Sequence, residues 1–465
     1  MSTDLVTLPE ERGVETHGIE RVSPTARAHV RIFDNFTMWL SANLVISTVG
    51  LGALALFFNL GFWDALLAIV LFNALGVLPV AFFSTLGPKL GLRQMTISRF
   101  SFGWVGAIVM AVFNIAACIG WSTVNVIAGG QLVAALSNGV IPAWAGILII
   151  AVITTIISIY GYRYVHRYER YAWIPMAIIF LILFFAAAPH MNIASLPGFG
   201  TAGLASFITF GGAIFGFATG WSSYAADYNV NQPEETPSSR VFWLTFLGVF
   251  IPCVLLETLG LLLISVPDWA KVFGDSGGNV GDMLHSAVSS LGPLGLLILV
   301  FLAWSVIANN VPNDYSLGLS IQVFGKPFQR VPRAIWTLVG AVIYVLIALP
   351  SAQNFGATLD SFLLLVAYWL GPWSIILVLE HFVFRRTVYN VDDWNTREKL
   401  PLGWAALVSM ALGLVGVYLG ASQQLFVGPL AAVLDKVDIG FELGVVFAAI
   451  SYLILRRIEL NSSKR

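Results

Sequence analysis

The run "FITFGGAIFGFATGWSSYAADYN" (207–229) decides the fold. It begins as an apolar, glycine-broken stretch fit for lipid and ends in a tryptophan, hydroxyls, tyrosines and Asp227. Gly211, Gly212, Gly216 and Gly220 fall inside it, and each glycine weakens a helix by up to about 1 kcal/mol against alanine. A polar, aromatic cluster at the end of a weakened membrane helix reads as a ligand wall at a helix break. The alternative is close helix packing through small residues.

The rest of the chain supplies the membrane context. Of 465 residues, 58% are hydrophobic and 11% charged, whereas soluble domains carry about 25% charge. A bilayer absorbs such a sequence at about 20 apolar residues per helix. Twelve apolar runs stand out, at 35–59, 63–87, 101–136, 142–162, 171–189, 203–228, 240–266, 290–322, 333–350, 357–384, 402–420 and 440–456, numbered here as spans 1 to 12.

Placing the N-terminus and every even-to-odd loop on one side puts 22 of the 24 Lys and Arg there, with only Lys271 and Lys436 opposite. That bias makes both termini cytoplasmic and supports an even count of spans. Residues 1–33 are polar and lack the apolar stretch of a secretory signal, so a cytoplasmic tail is expected. The loop 267–289 is external, with room for a short interfacial helix. Cys118 and Cys253 lie in apolar runs, so neither a disulfide framework nor a metal site is expected. No repeat at 20 to 50 residues suggests a solenoid.

Span 1 has its own interruption, "ISTVGLGALAL", with Ser47, Thr48, Gly50 and Gly52 at mid-membrane. It precedes the break in span 6 by five spans. Paired interruptions at matching places are the mark of an inverted-repeat transporter whose unwound backbone lines the binding site.

Polar groups mark two further spans. In span 3, Trp121 and Asn125 are four apart and share a helix face, so an indole lies one turn from a carboxamide. In span 8, "WSVIANNVPNDYSLGLS" gathers Asn309, Asn310 and Asn313 around Pro312, whose missing N–H frees a carbonyl one turn back. Such clusters are costly in a membrane unless they serve a site. The plainer readings are a core tryptophan with a paired asparagine, and a polar knot joining helices. Trp221, Ser222, Ser223 and Asp227 complete the constellation. Two tryptophans with amides and no cation suit a flat, neutral, hydrogen-bonding heterocycle, and suit sugars or phosphorylated ligands less.

These motifs carry a resemblance. "TMWLSANLVISTVGLGAL", "GLRQMTISRFSFG", "GWSTVNVIAGGQ", "GWSSYAADY" and "NNVPNDYSLGLS", in this order, make the chain resemble the nucleobase–cation symporter family 1, in its purine-cytosine permease branch. The resemblance implies an all-α integral membrane fold of twelve transmembrane helices, with a leucine-transporter-like 5+5 inverted repeat plus two helices. On that plan a cytoplasmic tail (1–33) precedes a first repeat (34–189) and a second, inverted repeat (203–384). A cytoplasmic linker (385–400), two additional helices (401–457) and a tail (458–465) follow. It also implies import of cytosine and purines across the cytoplasmic, or inner, membrane. The substrate site it implies comprises Trp121, Asn125, Trp221, Asn309, Asn310 and Pro312, to which the polar clusters themselves add Ser222 and Asn313. Ser47 is the span 1 candidate, with Asn43 second.

Sodium-coupled relatives use hydroxyls of span 8, but here Val311, Pro312 and Asn313 follow the asparagine pair and no Ser or Thr appears until Ser316. Proton coupling is therefore expected, with sodium the alternative. The titratable candidates are Glu257, taken as the deepest acid, and Asp227, taken as nearer a span end. A permanently protonated or amide-paired Glu257 is the competing reading. No cofactor, metal or nucleic acid is expected, and a monomer is the expected state. The six histidines fall in tails, loops or span ends, which argues against an enzyme. A channel or a binding-only sensor fits the single compact cluster less well. Within transporters the alternative substrate is another flat ring, such as a hydantoin, allantoin or a pyridoxine-like compound.

Overall fold

The computed structural model describes residues 5–6, 18–159, 162–423 and 426–462. Helices stand at all twelve expected positions: Asp34–Asn43 with Ile46–Ala53, Phe62–Ser84, Arg99–Leu136, Ala143–Ile159, Tyr162–Ala187, Leu204–Thr219, Ser238–Leu263, Pro293–Gln322, Arg333–Ser351, Phe355–Leu379, Trp404–Gly420 and Gly440–Ser462. Among the described residues seven stretches are by themselves long and apolar enough to cross a membrane, and one of them, Arg333–Phe384, joins spans 9 and 10 end to end. Strand pairing among the described residues is confined to Leu5–Val6 beside Arg21–Val22 and a single bridge between Ser422 and Val427.

The packing partners reveal the repeat. Spans 1 and 2 pack on spans 6 and 7, while spans 3 and 4 pack on spans 8 and 9. Each partner thus lies about five spans further along, as two interlocked five-helix units require. Spans 11 and 12 pack on each other and against span 10. Span 3 kinks at Gly103, whose φ of 66° is left-handed. A Cβ there would meet the Pro401 carbonyl at 2.3 Å, so glycine is required twice over.

The breaks differ from the sequence expectation. Span 1 bends by 58° between its two helices, at Leu44–Val45, before the glycines rather than among them. Val45 is extended (φ −138°, ψ 153°), a conformation a β-branched residue favours. Ser47, Thr48, Gly50 and Gly52 are all inside the second helix. Gly52 serves close packing: a Cβ would lie 1.8 Å from the Glu257 carbonyl. Span 6 likewise runs straight through Gly211, Gly212 and Gly216, then tightens into a 3₁₀ segment, Gly220–Tyr228, that kinks at Tyr224. Most of these glycines therefore follow the small-residue packing alternative.

The loop after span 7 holds two helices, Pro267–Asp275 and Val280–Val288, rather than one at an interface. The second is largely buried and packs on spans 3 and 8. On the terminal side, residues 18–33 lie across the loops. Val22 N–H donates to the Gly91 carbonyl (2.9 Å), His29 N–H donates to that of Asn231 (2.9 Å), and Arg21 pairs with Asp392 (2.7 Å). Asp34, at the start of span 1, is held by Arg170 of span 5 and by His29. The arginine beside the loop, Arg27, is buried and donates to the Val22 carbonyl (3.1 Å).

Candidate functional site

The bend in span 1 opens backbone carbonyls, and side chains from span 8 and from span 1 itself take them. Asn309 Nδ2 donates to the Ala42 carbonyl (2.5 Å) and Thr48 Oγ1 to that of Asn43 (3.0 Å). Asn309 Oδ1 in turn accepts from Asn125 Nδ2 (2.6 Å), and Asn310 Oδ1 lies 3.4 Å from the same nitrogen. Ser47 Oγ donates to Asn125 Oδ1 (3.2 Å). One continuous network therefore joins spans 1, 3 and 8 at the break. All five side chains are buried, where an unpaired amide costs about 1–3 kcal/mol, and of their amide groups Asn310 Nδ2 has no partner among the described residues.

The aromatic residues stand beside this network. Trp121 packs edge-on against Phe217 (5.4 Å) and Phe362 (5.0 Å), and its ring lies over Gly220, where a Cβ would come within 2.6 Å. Its indole N–H has no hydrogen-bond partner among the described residues although the side chain is buried. Trp221, the next residue after Gly220, donates from Nε1 to Asn43 Oδ1 (3.0 Å) and packs edge-on against Trp39 and Tyr224. Gly220 thus lets the backbone of span 6 pass under one tryptophan and present the other.

Three predicted residues sit differently from the expectation. Ser222 turns to Thr219 (3.1 Å), within its own segment. Asn313 accepts from Tyr224 OH (2.6 Å) and donates to the Asn309 carbonyl (3.1 Å), so it braces span 8 against span 6. The carbonyl of Pro312 accepts from Tyr228 OH (2.8 Å).

Asp227 is only 4% exposed, deeper than a span end implies. Both its carboxylate oxygens are taken, by Gln94 N–H (2.7 Å) and Ser316 Oγ (3.2 Å), and Arg93 donates to its backbone carbonyl (2.6 Å). A cation therefore does approach the 3₁₀ segment, contrary to the reading of a cation-free constellation. Glu257 is fully buried on span 7, apart from the amide network. Asn73 donates to its Oε2 (2.6 Å), while Oε1 has no partner among the described residues.

Sequence reasoning missed Asp314. It lies one turn after Asn310, is 1% exposed, and accepts from Ser122 Oγ (3.2 Å), with Tyr344 OH at 3.5 Å. Glu257 is thus not alone in depth. The signal was available, since Asp314 sits inside the "NNVPNDYSLGLS" cluster and Ser122 beside Trp121. Ser305, one turn before the asparagine pair, is a buried hydroxyl that was also not weighed. It donates to the Leu302 carbonyl (2.6 Å). No group of three or more His, Cys, Asp or Glu among the described residues is arranged to hold a metal ion.

The family model described as "Permease for cytosine/purines, uracil, thiamine, allantoin" matches residues 22–444. The chain belongs to this permease family. It is 42% identical to the purine-cytosine permease fcyB of Emericella nidulans, over 98% of this chain and 90% of that protein. It is 37% identical to the purine-cytosine permease FCY2 of Saccharomyces cerevisiae, over 96% and 86%. A vitamin B6 transporter of the same yeast is 29% identical over 97% and 89%. These relatives are transporters, not enzymes.

Among solved structures, the transporter Mhp1 of the nucleobase-cation-symport-1 family, closed with bromovinylhydantoin bound, superposes with a TM-score of 0.72. It is 16% identical and covers 98% of this chain and 97% of that one. The permease is therefore a multi-pass, all-α membrane protein with the leucine-transporter-like arrangement described above.

Proposed function

We propose that the permease is a secondary active transporter that imports cytosine and purine nucleobases across the cytoplasmic membrane by proton symport with alternating access. Both termini face the cytoplasm on this reading, and the protein works as a monomer. The observation that carries it is the buried junction of spans 1, 3, 6 and 8. There the Trp121 indole N–H, without a partner among the described residues, lies beside amides that span two helices and a broken third. A planar base stacks on an indole at about 1–3 kcal/mol. Amide groups offer both donor and acceptor to its edge. Trp121, Asn125, Trp221, Asn309 and Asn310 are the contacts, with Ser47 holding Asn125. Asn313, Pro312 and Ser222 shape the wall behind them.

Proton coupling is supported by the state of the span 1 break. The carbonyls of Ala42 and Asn43, the hard oxygens a sodium ion would seek, are already bonded to Asn309 and Thr48. Residues 311–313 supply no hydroxyl. Glu257 and Asp227 are the candidate proton carriers. Of these Glu257 is favoured, because one of its carboxylate oxygens has no partner among the described residues whereas both of Asp227 are bonded. A membrane potential of 100 mV supplies about 2.3 kcal/mol per charge, enough for more than tenfold accumulation.

The second reading is another flat heterocycle, a hydantoin, allantoin or pyridoxine-like ring. It draws on the vitamin B6 transporter and on the hydantoin-bound structure among the relatives. Initial uptake of labelled cytosine, in cells lacking their own base permeases, separates the two. Saturable uptake that unlabelled adenine blocks supports the nucleobase reading. No uptake by a correctly inserted protein rejects it and moves the search to the other rings.

A further inference from the structure

The hydrogen bonds of Asn43, the second span 1 candidate, point inward. Its Oδ1 accepts from Trp221 Nε1 (3.0 Å) and from Cys253 Sγ (3.5 Å), and its Nδ2 donates to the Trp39 carbonyl (2.8 Å). A carboxamide has two acceptor lone pairs and two donors, so three of its four capacities are spent within the protein. What it holds is informative. Trp221 is one wall of the site, and Cys253 lies on span 7 one turn before Glu257, on the same helix face.

Glu257 is poised to act on that contact. Its Oε2 accepts from Asn73 and its Oε1 has no partner among the described residues. An ionised carboxylate only accepts, whereas the protonated acid also donates, so gaining a proton changes what the surroundings must offer. The surroundings are stiff. A Cβ on Gly52 would lie 1.8 Å from the Glu257 carbonyl, and one on Gly260 would lie 1.9 Å from the Val49 carbonyl. Span 7 and the second half of span 1 therefore meet backbone to backbone, with no flexible side chain between them to absorb a shift. Among the described residues the groups facing Glu257 are Cys253 from its own span, Asn73 from span 2 and Gly52 from span 1, and of these only Cys253 titrates. Around Trp221 the titratable neighbour is Tyr224.

We propose that Asn43 is a positioning residue that fixes the Trp221 indole and transmits the protonation state of Glu257 to it through Cys253, which bonds Asn43 one turn from Glu257 on span 7. This deepens the reading of Glu257 as the coupling acid and rests on it. Substrate affinity would then follow the proton without any contact between the two ligands.

The test needs no substrate. Full-length protein carrying 5-fluorotryptophan gives a fluorine resonance for Trp221, identified by its loss in Trp221→Phe. The proposal expects that resonance to move in Asn43→Leu. It also expects the resonance to move with pH in the unaltered protein and to stay fixed in Glu257→Gln. Should Asn43→Leu not fold, Asn43→Ser, whose hydroxyl falls short of Trp221, is expected to give the same displacement. An unmoved resonance in the Asn43 variants, or titration that survives Glu257→Gln and disappears in Asp227→Asn, overturns the proposal. A second readout is the cytosine affinity, expected to fall about tenfold in Asn43→Leu but no further in the double variant than in Trp221→Phe alone. If cytosine fails to bind while the fluorine signals behave as expected, the substrate reading falls and the role of Asn43 stands.

Discussion

The two sides of the central site are built on opposite principles. On the polar side, Ser47, Asn125, Asn309 and the opened Ala42 carbonyl satisfy one another in a chain of bonds of 3.2 Å or less. On the aromatic side, Trp121 is held by ring edges and by the absence of a side chain at Gly220, and its N–H has no partner among the described residues. Apart from Asn310 Nδ2, which has no partner among the described residues, the polar network exchanges partners with a ligand at little net gain, because each bond made replaces one lost. An apolar ring face with a free donor gains on every contact. The aromatic side should therefore set whether a flat ring binds, and the polar side which ring is preferred.

The largest effect expected from this division is at Trp121. Its replacement by alanine removes the stacking face, worth at the upper end about 3 kcal/mol, or roughly a hundredfold in affinity. Equilibrium binding of labelled cytosine to the purified variant measures it, and near-normal affinity would end the stacking account. Next comes Gly220→Ala, which places a methyl 2.6 Å from the Trp121 ring and must displace it. A loss of about tenfold in affinity with unchanged order of competing bases is expected. A changed order would move specificity onto the aromatic side.

Asn310→Ala should act the other way round. Cytosine affinity falls only a fewfold, but the inhibition constants of adenine, guanine and hypoxanthine change order, and an intact order would place selection outside span 8. The smallest effect is at Ser222, whose hydroxyl is bonded to Thr219. Ser222→Ala should leave uptake within about twofold, and a larger loss would return that residue to the site.

The membrane fold was legible because its causes are local. Apolar length and the side on which arginines fall need no knowledge of contacts, and all twelve spans could be read from them. Trp121 with Asn125, and the asparagines of span 8, were legible for a related reason: polar groups are conspicuous where lipid makes them costly. The break in span 1 was not. Nothing in Leu44–Val45 is a helix breaker, and the bend depends on donors from Asn309 and Thr48, the first of them 267 residues away from its acceptor. The glycines misled for the same reason. A glycine that permits a helix to come within van der Waals distance of another backbone looks, in one dimension, like a glycine that unwinds it. Asp314 was passed over because the neighbouring asparagines offered a sufficient account of the same motif.

The most direct test of proton-driven nucleobase import uses purified protein in sodium-free proteoliposomes. Labelled cytosine is added outside and an inside-alkaline pH gradient is imposed. The account predicts transient accumulation above the external concentration, abolished by a protonophore and unchanged when sodium is supplied. Accumulation that appears only with a sodium gradient would contradict it.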